Sequence, residues 1–317
     1  MMTTRRWVVG GGVLFGVALA GWAFQFRGNV KIDSTQNVSV GGATIQVDFA
    51  EGSLDLGTDA VVGRVKDAAQ ALTVYYGKFP VPRVRMLVFP VSDRHGVFRG
   101  TTWGDRGGFP SFTRISVGEQ TTAKELADDW MITHELAHTG FPNLAEEHHW
   151  MEEGLATYVE PIARVQAGQL NAKTIWRDMM DGMPKGEPAA GDEGLDRTHT
   201  WGRTYWGGTM FWLLADMRIR EQTHGTRSLD DAIKAILEAG GDGSQRWEIA
   251  RVIEVGDRAT GTMVLRDLHQ EMGEGPDKVD LNDLWKKLGV RYVWGRVGFD
   301  DTAPLAWVRK AITAKSH

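Results

Sequence analysis

Cysteine is absent from all 317 residues, so the chain has neither a disulfide framework nor a lipidated cysteine anchor. No concentrated basic stripe occurs either: 36 Lys and Arg stand against 41 Asp and Glu, a formal charge of -5 with a pI near 6.0. Nucleic acid is therefore excluded as an expected partner. The sequence has no internal repeat and no low-complexity tract, which excludes solenoid and fibrous architectures. With 42% hydrophobic and 24% charged residues, it can bury an ordinary core, as one large domain or two packed lobes. Tryptophan is plentiful at thirteen residues, expected mainly to fill the core and otherwise to line clefts for peptide or sugar.

Arg5 and Arg6 precede an uncharged stretch from Trp7 to Phe26, the pattern of an export signal or an N-terminal anchor. Twenty such residues are just enough to span a bilayer, and Ala18-Leu19-Ala20 offers a small-residue cleavage site. The run Thr4-Arg5-Arg6-Trp7-Val8-Val9 bears a partial likeness to a twin-arginine signal. Five glycines in the apolar stretch argue against a buried helix in water. Residues 1–28 are thus expected to be a signal peptide or a membrane anchor, placing the remainder on the periplasmic or extracellular face.

Beyond the leader, Ala43 to Ala50 alternates like a strand, and helical spacing follows in a segment that Thr58 is expected to cap. Arg83 to Val91 reads as a buried strand, then a glycine-rich stretch leads to a strand-like segment, Phe112 to Gly118. Residues 29–120 are expected to form a small α/β subdomain and residues 121–317 a helical one. Helices are predicted from Thr121 through His138, from Trp150 to Val165 and from Thr204 to Glu221. Two more are predicted after a capping Ser228 and before a terminating Gly289. Asp181 to Thr200 has the glycine, proline and charge content of a surface loop.

Met131 to Glu160 holds four of the nine histidines and six glutamates. Within it, His134-Glu135-Leu136-Ala137-His138 is HExxH. Residues four apart share a helix face, so both imidazoles reach one zinc while Glu135 stands beside them as a base. A catalytic zinc takes three protein ligands. The pattern with a third histidine six residues on is excluded, because Leu144 stands there and Phe141 replaces the required glycine. A second helix begins downstream at Trp150-Met151-Glu152-Glu153-Gly154, with fourteen residues, Thr139 to Glu152, between His138 and Glu153.

The pair "HELAH" and "WMEEGLATYVE" resembles the gluzincins, zinc peptidases of the glycyl aminopeptidase and aminopeptidase N types. That resemblance implies an α+β, thermolysin-like catalytic domain, with a small mixed sheet, a helical lobe and a cleft between them. It implies one Zn2+ per chain, and the glutamate before the glycine matches Glu153 as third ligand. The gap in the aminopeptidase N type is eighteen residues, so the connection here is trimmed, leaving Glu152, His148 and His149 as competitors. Thr204 to Leu237 resembles the glycyl aminopeptidase segment whose tyrosine donates to the oxyanion, a role falling on Tyr205, although Gly207 stands where that family has lysine.

The expected chemistry is peptide-bond hydrolysis of a peptide or protein substrate. Glu135 takes a proton from the attacking water and passes it to the leaving amine, and Tyr205 steadies the oxyanion. His199 is a further candidate oxyanion partner; Glu160 either orients a ligand or faces water; Glu146 and Glu147 form a solvated connection. His95, His224 and His269 carry no assigned role. Phe112 to Gly118 precedes the motif helix, where gluzincins keep the substrate-facing edge strand. The Gly-x-Met-Glu-Asn strand that grips a free amine in clan aminopeptidases has no counterpart, the nearest stretch being Gly107 to Ser111. Endopeptidase and exopeptidase preferences therefore both stand. The alternatives are a zinc hydrolase of a non-protein amide, such as a cell-wall peptide, and a catalytically silent, membrane-tethered binding protein.

Overall fold

Alternation builds the sheet. In β1 (Ile32–Val40) and β2 (Ala43–Ala50), apolar side chains such as Val38, Ile45 and Val47 point to one buried face, and Gln46 points away from it. In β3 (Arg83–Val91), Val84, Met86 and Val88 share that face. A computed structural model of the chain describes residues 30–314, so the expected leader, residues 1–28, lies outside the described residues. Among the described residues no helix is long and apolar enough to cross a membrane.

The helix α1 (Thr58–Tyr76) links β2 to β3, which pair in parallel as a crossover requires. Its N-cap is Gly57, at φ 75°, and Thr58 makes no cap. That differs from the expectation because the helix begins at Thr58 itself, one residue past the cap position, and its hydroxyl instead accepts from Gln36 Nε2 at 3.1 Å. The glycine-rich stretch predicted as irregular is a hairpin: β4 (Val97–Arg106) turns at Gly107-Gly108 into β5 (Phe109–Gly118). Both turn glycines have positive φ, which L-residues resist and a tight hairpin needs. The strand order is β1-β2-β3-β5-β4, with β3 and β5 parallel and β4 antiparallel to β5. Phe112 to Gly118 is consequently an interior segment, and the edge strand beside the motif helix is β4, a correction to the sequence reading.

The segment expected as one helix through His138 is two, α2 (Ala123–Asp128) and α3 (Met131–Ala137). Asp129 breaks it by accepting from the N–H groups of Met131 and Ile132 at 3.0 and 3.1 Å, so it caps the motif helix. After α3 the chain reaches α4 (His149–Gln166), whose Gly154 lies directly against Gly208 at the start of α6 (Gly208–Gln222). Between them, α5 (Ala172–Gly182) leads into Asp181–Thr200, expected as a surface loop. Its middle is fixed: buried Arg203 pairs with Asp192 at 3.0 Å and donates to the Gly186 carbonyl at 2.7 Å.

α7 (Leu229–Glu238) starts at Ser228, whose N–H donates to Asp231 at 2.8 Å. It is followed by α8 (Ile249–Thr260), α9 (Val264–Leu268) and α10 (Leu281–Leu288), which ends on Gly289 with φ 66°, as expected. A short hairpin, β6 (Val290–Val293) and β7 (Arg296–Phe299), and α11 (Ala306–Ile312) complete the unit Ile32–His317. Trp150, Trp176 and Trp212 are fully buried in it, whereas Trp201, Trp294 and Trp307 are exposed.

Candidate metal centre

His134 on α3 and His138, the residue that caps its C-terminus, stand one turn apart, and Glu153 faces them from the second turn of α4. Glu153 Oε2 lies 3.1 Å from His134 Nε2 and 3.7 Å from His138 Nε2. Two ligand atoms on a tetrahedral zinc with bonds of about 2.0–2.1 Å sit about 3.4 Å apart, so this trio has the spacing and the N2O chemistry of a catalytic zinc site. Burial holds His138 down to about 4, leaving its imidazole neutral with a lone pair to give. Burial also opposes the charged form of Glu153, but His138, His134 and His149 together outweigh it and hold its carboxyl well below the usual carboxylate range. At His134 burial works against protonation and Glu153 raises the pKa in spite of it. Ionised carboxylate and neutral imidazole are the forms that bind metal.

Of the competing third ligands, Glu152 and His148 point elsewhere and His149 turns to Glu153 itself. Glu152 Oε1 accepts from the Leu144 N–H at 3.0 Å and so holds the connection. His148 turns to Asp196 at 2.9 Å. His149 Nε2 reaches the other oxygen of Glu153, Oε1, at 3.2 Å; Glu152 and Glu153 together lift its pKa to about 10. The trimmed connection is pinned by Asn143, whose N–H donates to the Gln245 carbonyl and whose side chain donates to Gly243.

Glu135 is buried with its carboxylate against β4. Thr102 Oγ1 donates to Glu135 Oε2 at 2.8 Å, and a Cβ on Gly100 would overlap Oε1. Burial pushes Glu135 up to about 7, the range a base needs near neutral pH. The strand opposite the base is thus Gly100-Thr101-Thr102-Trp103-Gly104, not the Gly107–Ser111 stretch, and it too carries no carboxylate. Gly100→Ala is expected to displace the Glu135 carboxylate and lower kcat by about 100-fold, since misplacement by an ångström has that effect. Steady-state rates and zinc content on the same sample check this: zinc should be unchanged.

Tyr205 sits in a wide π-helical turn, Arg203–Gly207, just before α6. Such turns re-aim side chains and are frequent at functional sites. Its ring stacks between His134, at 6.2 Å, and Trp201, at 5.7 Å. Burial first, then the Glu153 carboxylate, raises its pKa, so the hydroxyl remains a donor. His199 bonds locally to the Asp196 carbonyl at 3.1 Å. Glu160 does not face water: it is buried and takes Arg164 at 2.7 Å. Glu146 and Glu147 are exposed, as a solvated connection requires.

No protein-family profile matches the chain, and no curated protein does. Solved structures do. An aminopeptidase N family protein from Idiomarina loihiensis matches at TM-score 0.61 and 14% identity, over 81% of this chain and 49% of that one. An M1 zinc metallopeptidase from Deinococcus radiodurans, bound to a Tyr-Ser-Ala substrate, matches at 0.51 and 16%, over 78% and 52%. Legionella pneumophila aminopeptidase A, in complex with aspartic acid, matches at 0.53 and 13%, over 80% and 29%.

The fold is that of a gluzincin catalytic domain. As the resemblance implies, it is α+β, a mixed sheet followed by a helical region. The chain spans about half the length of the first two gluzincin-fold structures it matches and less of the third.

Proposed function

We propose that the chain is a zinc-dependent metallopeptidase hydrolysing peptide bonds, with His134, His138 and Glu153 as metal ligands, Glu135 as general base and Tyr205 as oxyanion donor. The observation that carries the reading is the convergence of two imidazoles and one carboxylate within 4.8 Å, beside a buried glutamate whose pKa is raised to about 7. Zinc bound there supplies Lewis-acid polarisation of a peptide carbonyl and lowers the pKa of water from about 15.7 toward 7. Glu135 accepts the proton of the attacking water and carries it to the leaving amine. Thr102 donates to one oxygen of that carboxylate and the other lies against Gly100, so β4 fixes the side chain. Edge strand β4 offers a peptide backbone a partner for pairing, which gives affinity with little sequence selectivity. The Deinococcus structure's peptide supports the substrate class.

Export fits this role. Arg5, Arg6 and the uncharged Trp7–Phe26 segment support an extracytoplasmic enzyme, released or held by its N-terminal segment.

Tyr205→Phe in the full chain tests the assignment. An oxyanion donor of this kind contributes about 100- to 1,000-fold in kcat, so kcat should fall by that factor while KM and zinc content stay level. Unchanged kcat would remove Tyr205 from the reaction.

A further inference from the structure

Three side chains that the proposed reaction does not use meet away from the first trio. His148 Nδ1 lies 2.9 Å from Asp196 Oδ1, and His269 Nε2 lies 2.8 Å from Asp196 Oδ2. All three are largely withdrawn from water, with side-chain exposures of 15%, 14% and 11% in that order. They come from three distant parts of the chain: the N-cap of α4, the loop before the Tyr205 turn, and a second π-helical turn, His269–Gly273.

Each is held by contacts of its own. Buried Trp150 donates its indole N–H to Asp196 Oδ1 at 2.8 Å. The Leu195 and Asp196 N–H groups bond to the carbonyls of Met272 and Gly273 at 2.8 and 3.1 Å, fastening the loop to the turn. The His269 ring lies so close to Gly273 that a Cβ there would overlap it. His269 Nδ1 lies 3.9 Å from the exposed carboxylate of Glu274, an ion-pair distance longer than a hydrogen bond.

We propose that His148, Asp196 and His269 form a second metal site, for a borderline divalent transition ion of which zinc is the representative. Two imidazoles and one carboxylate suit zinc, cobalt or nickel, and disfavour calcium and magnesium, which seek oxygen alone. An ion here ties the start of α4, one turn from Glu153, to the segments carrying Asp196 and His269. Without an ion, the same contacts require one N–H from each imidazole aimed at Asp196, and that arrangement is the competing outcome.

Zinc per folded chain, measured after reconstitution of the full-length protein, decides between them. The wild type is compared with His134→Ala/His138→Ala and with Asp196→Asn, and circular dichroism verifies folding. Asparagine keeps an oxygen for the Trp150 indole, so Asp196→Asn preserves shape while removing the anionic ligand; His269→Gln serves if that chain does not fold. The expected counts are about two, one and one. An Asp196→Asn count equal to wild type, with none left in the double variant, overturns the second site and leaves the proposed function standing. A wild-type count of about one that is lost only in Asp196→Asn keeps this site and removes the other.

Discussion

Glu135→Gln is expected to abolish hydrolysis, by a factor on the order of 10,000, while the full complement of zinc stays bound. Glutamine has nearly the same shape and keeps an oxygen for the Thr102 hydroxyl, which now lies 2.8 Å from Glu135 Oε2. It cannot accept a proton from water, so only the base is lost. The same substitution reports on stability with the opposite sign. An ordinary glutamate titrates at 4.5, and burial lifts Glu135 to about 7 in the folded, metal-free chain. Between those values the folded chain holds a proton that the unfolded chain has released, so folding stability falls as pH rises and stays reduced above 7. The difference corresponds to about 3 kcal/mol. Metal-free Glu135→Gln should therefore resist urea better than metal-free wild type at about pH 8, and equal it at about pH 4. A variant with full turnover would refute the assignment of Glu135 as base, and one no more stable than wild type at the higher pH would refute its raised pKa.

Glu153→Ala should remove one zinc per chain and with it all hydrolysis, whereas Glu152→Ala should remove none. Adjacent glutamates on α4 differ only in direction. Glu153 is aimed at the imidazoles of His134 and His138, while Glu152 is committed to the Leu144 N–H at 3.0 Å. Losing Glu152 releases the connection between the two motif helices, so a modest fall in stability is expected, about 2 kcal/mol for one hydrogen bond to a charged acceptor. Losing Glu153 leaves two imidazoles, one of which burial holds neutral near 4, and no anion to offset the ion's charge. Elemental analysis and peptide hydrolysis on the same samples read both variants. Zinc lost from Glu152→Ala and kept in Glu153→Ala would exchange the roles.

The sequence carried the HExxH helix and the glutamate helix because both are local patterns, set by spacing on a helix face. Spacing leaves the choice between Glu152 and Glu153 open, because it depends on a backbone N–H eight residues away that spacing does not locate. The edge strand is hidden from a reading of sequence alone for a similar reason. Gly100, Gly104, Gly107 and Gly108 make β4 and its turn look irregular, yet Gly100 is small because the Glu135 carboxylate lies over it. Asp129 broke a predicted helix that periodicity alone would have continued. His148, Asp196 and His269 have no mutual spacing to read; only the folding of the loop at Asp196 onto the turn at His269 unites them. The isolated His269, which carried no sequence signal, is in that group.

The most direct test follows hydrolysis of an internally quenched peptide by the full chain, stripped of metal with a chelator and then titrated with zinc. The account predicts no turnover in the stripped protein and recovery on adding zinc, with no recovery in Glu153→Ala treated alongside. Full turnover in a stripped chain verified to hold no metal would contradict it.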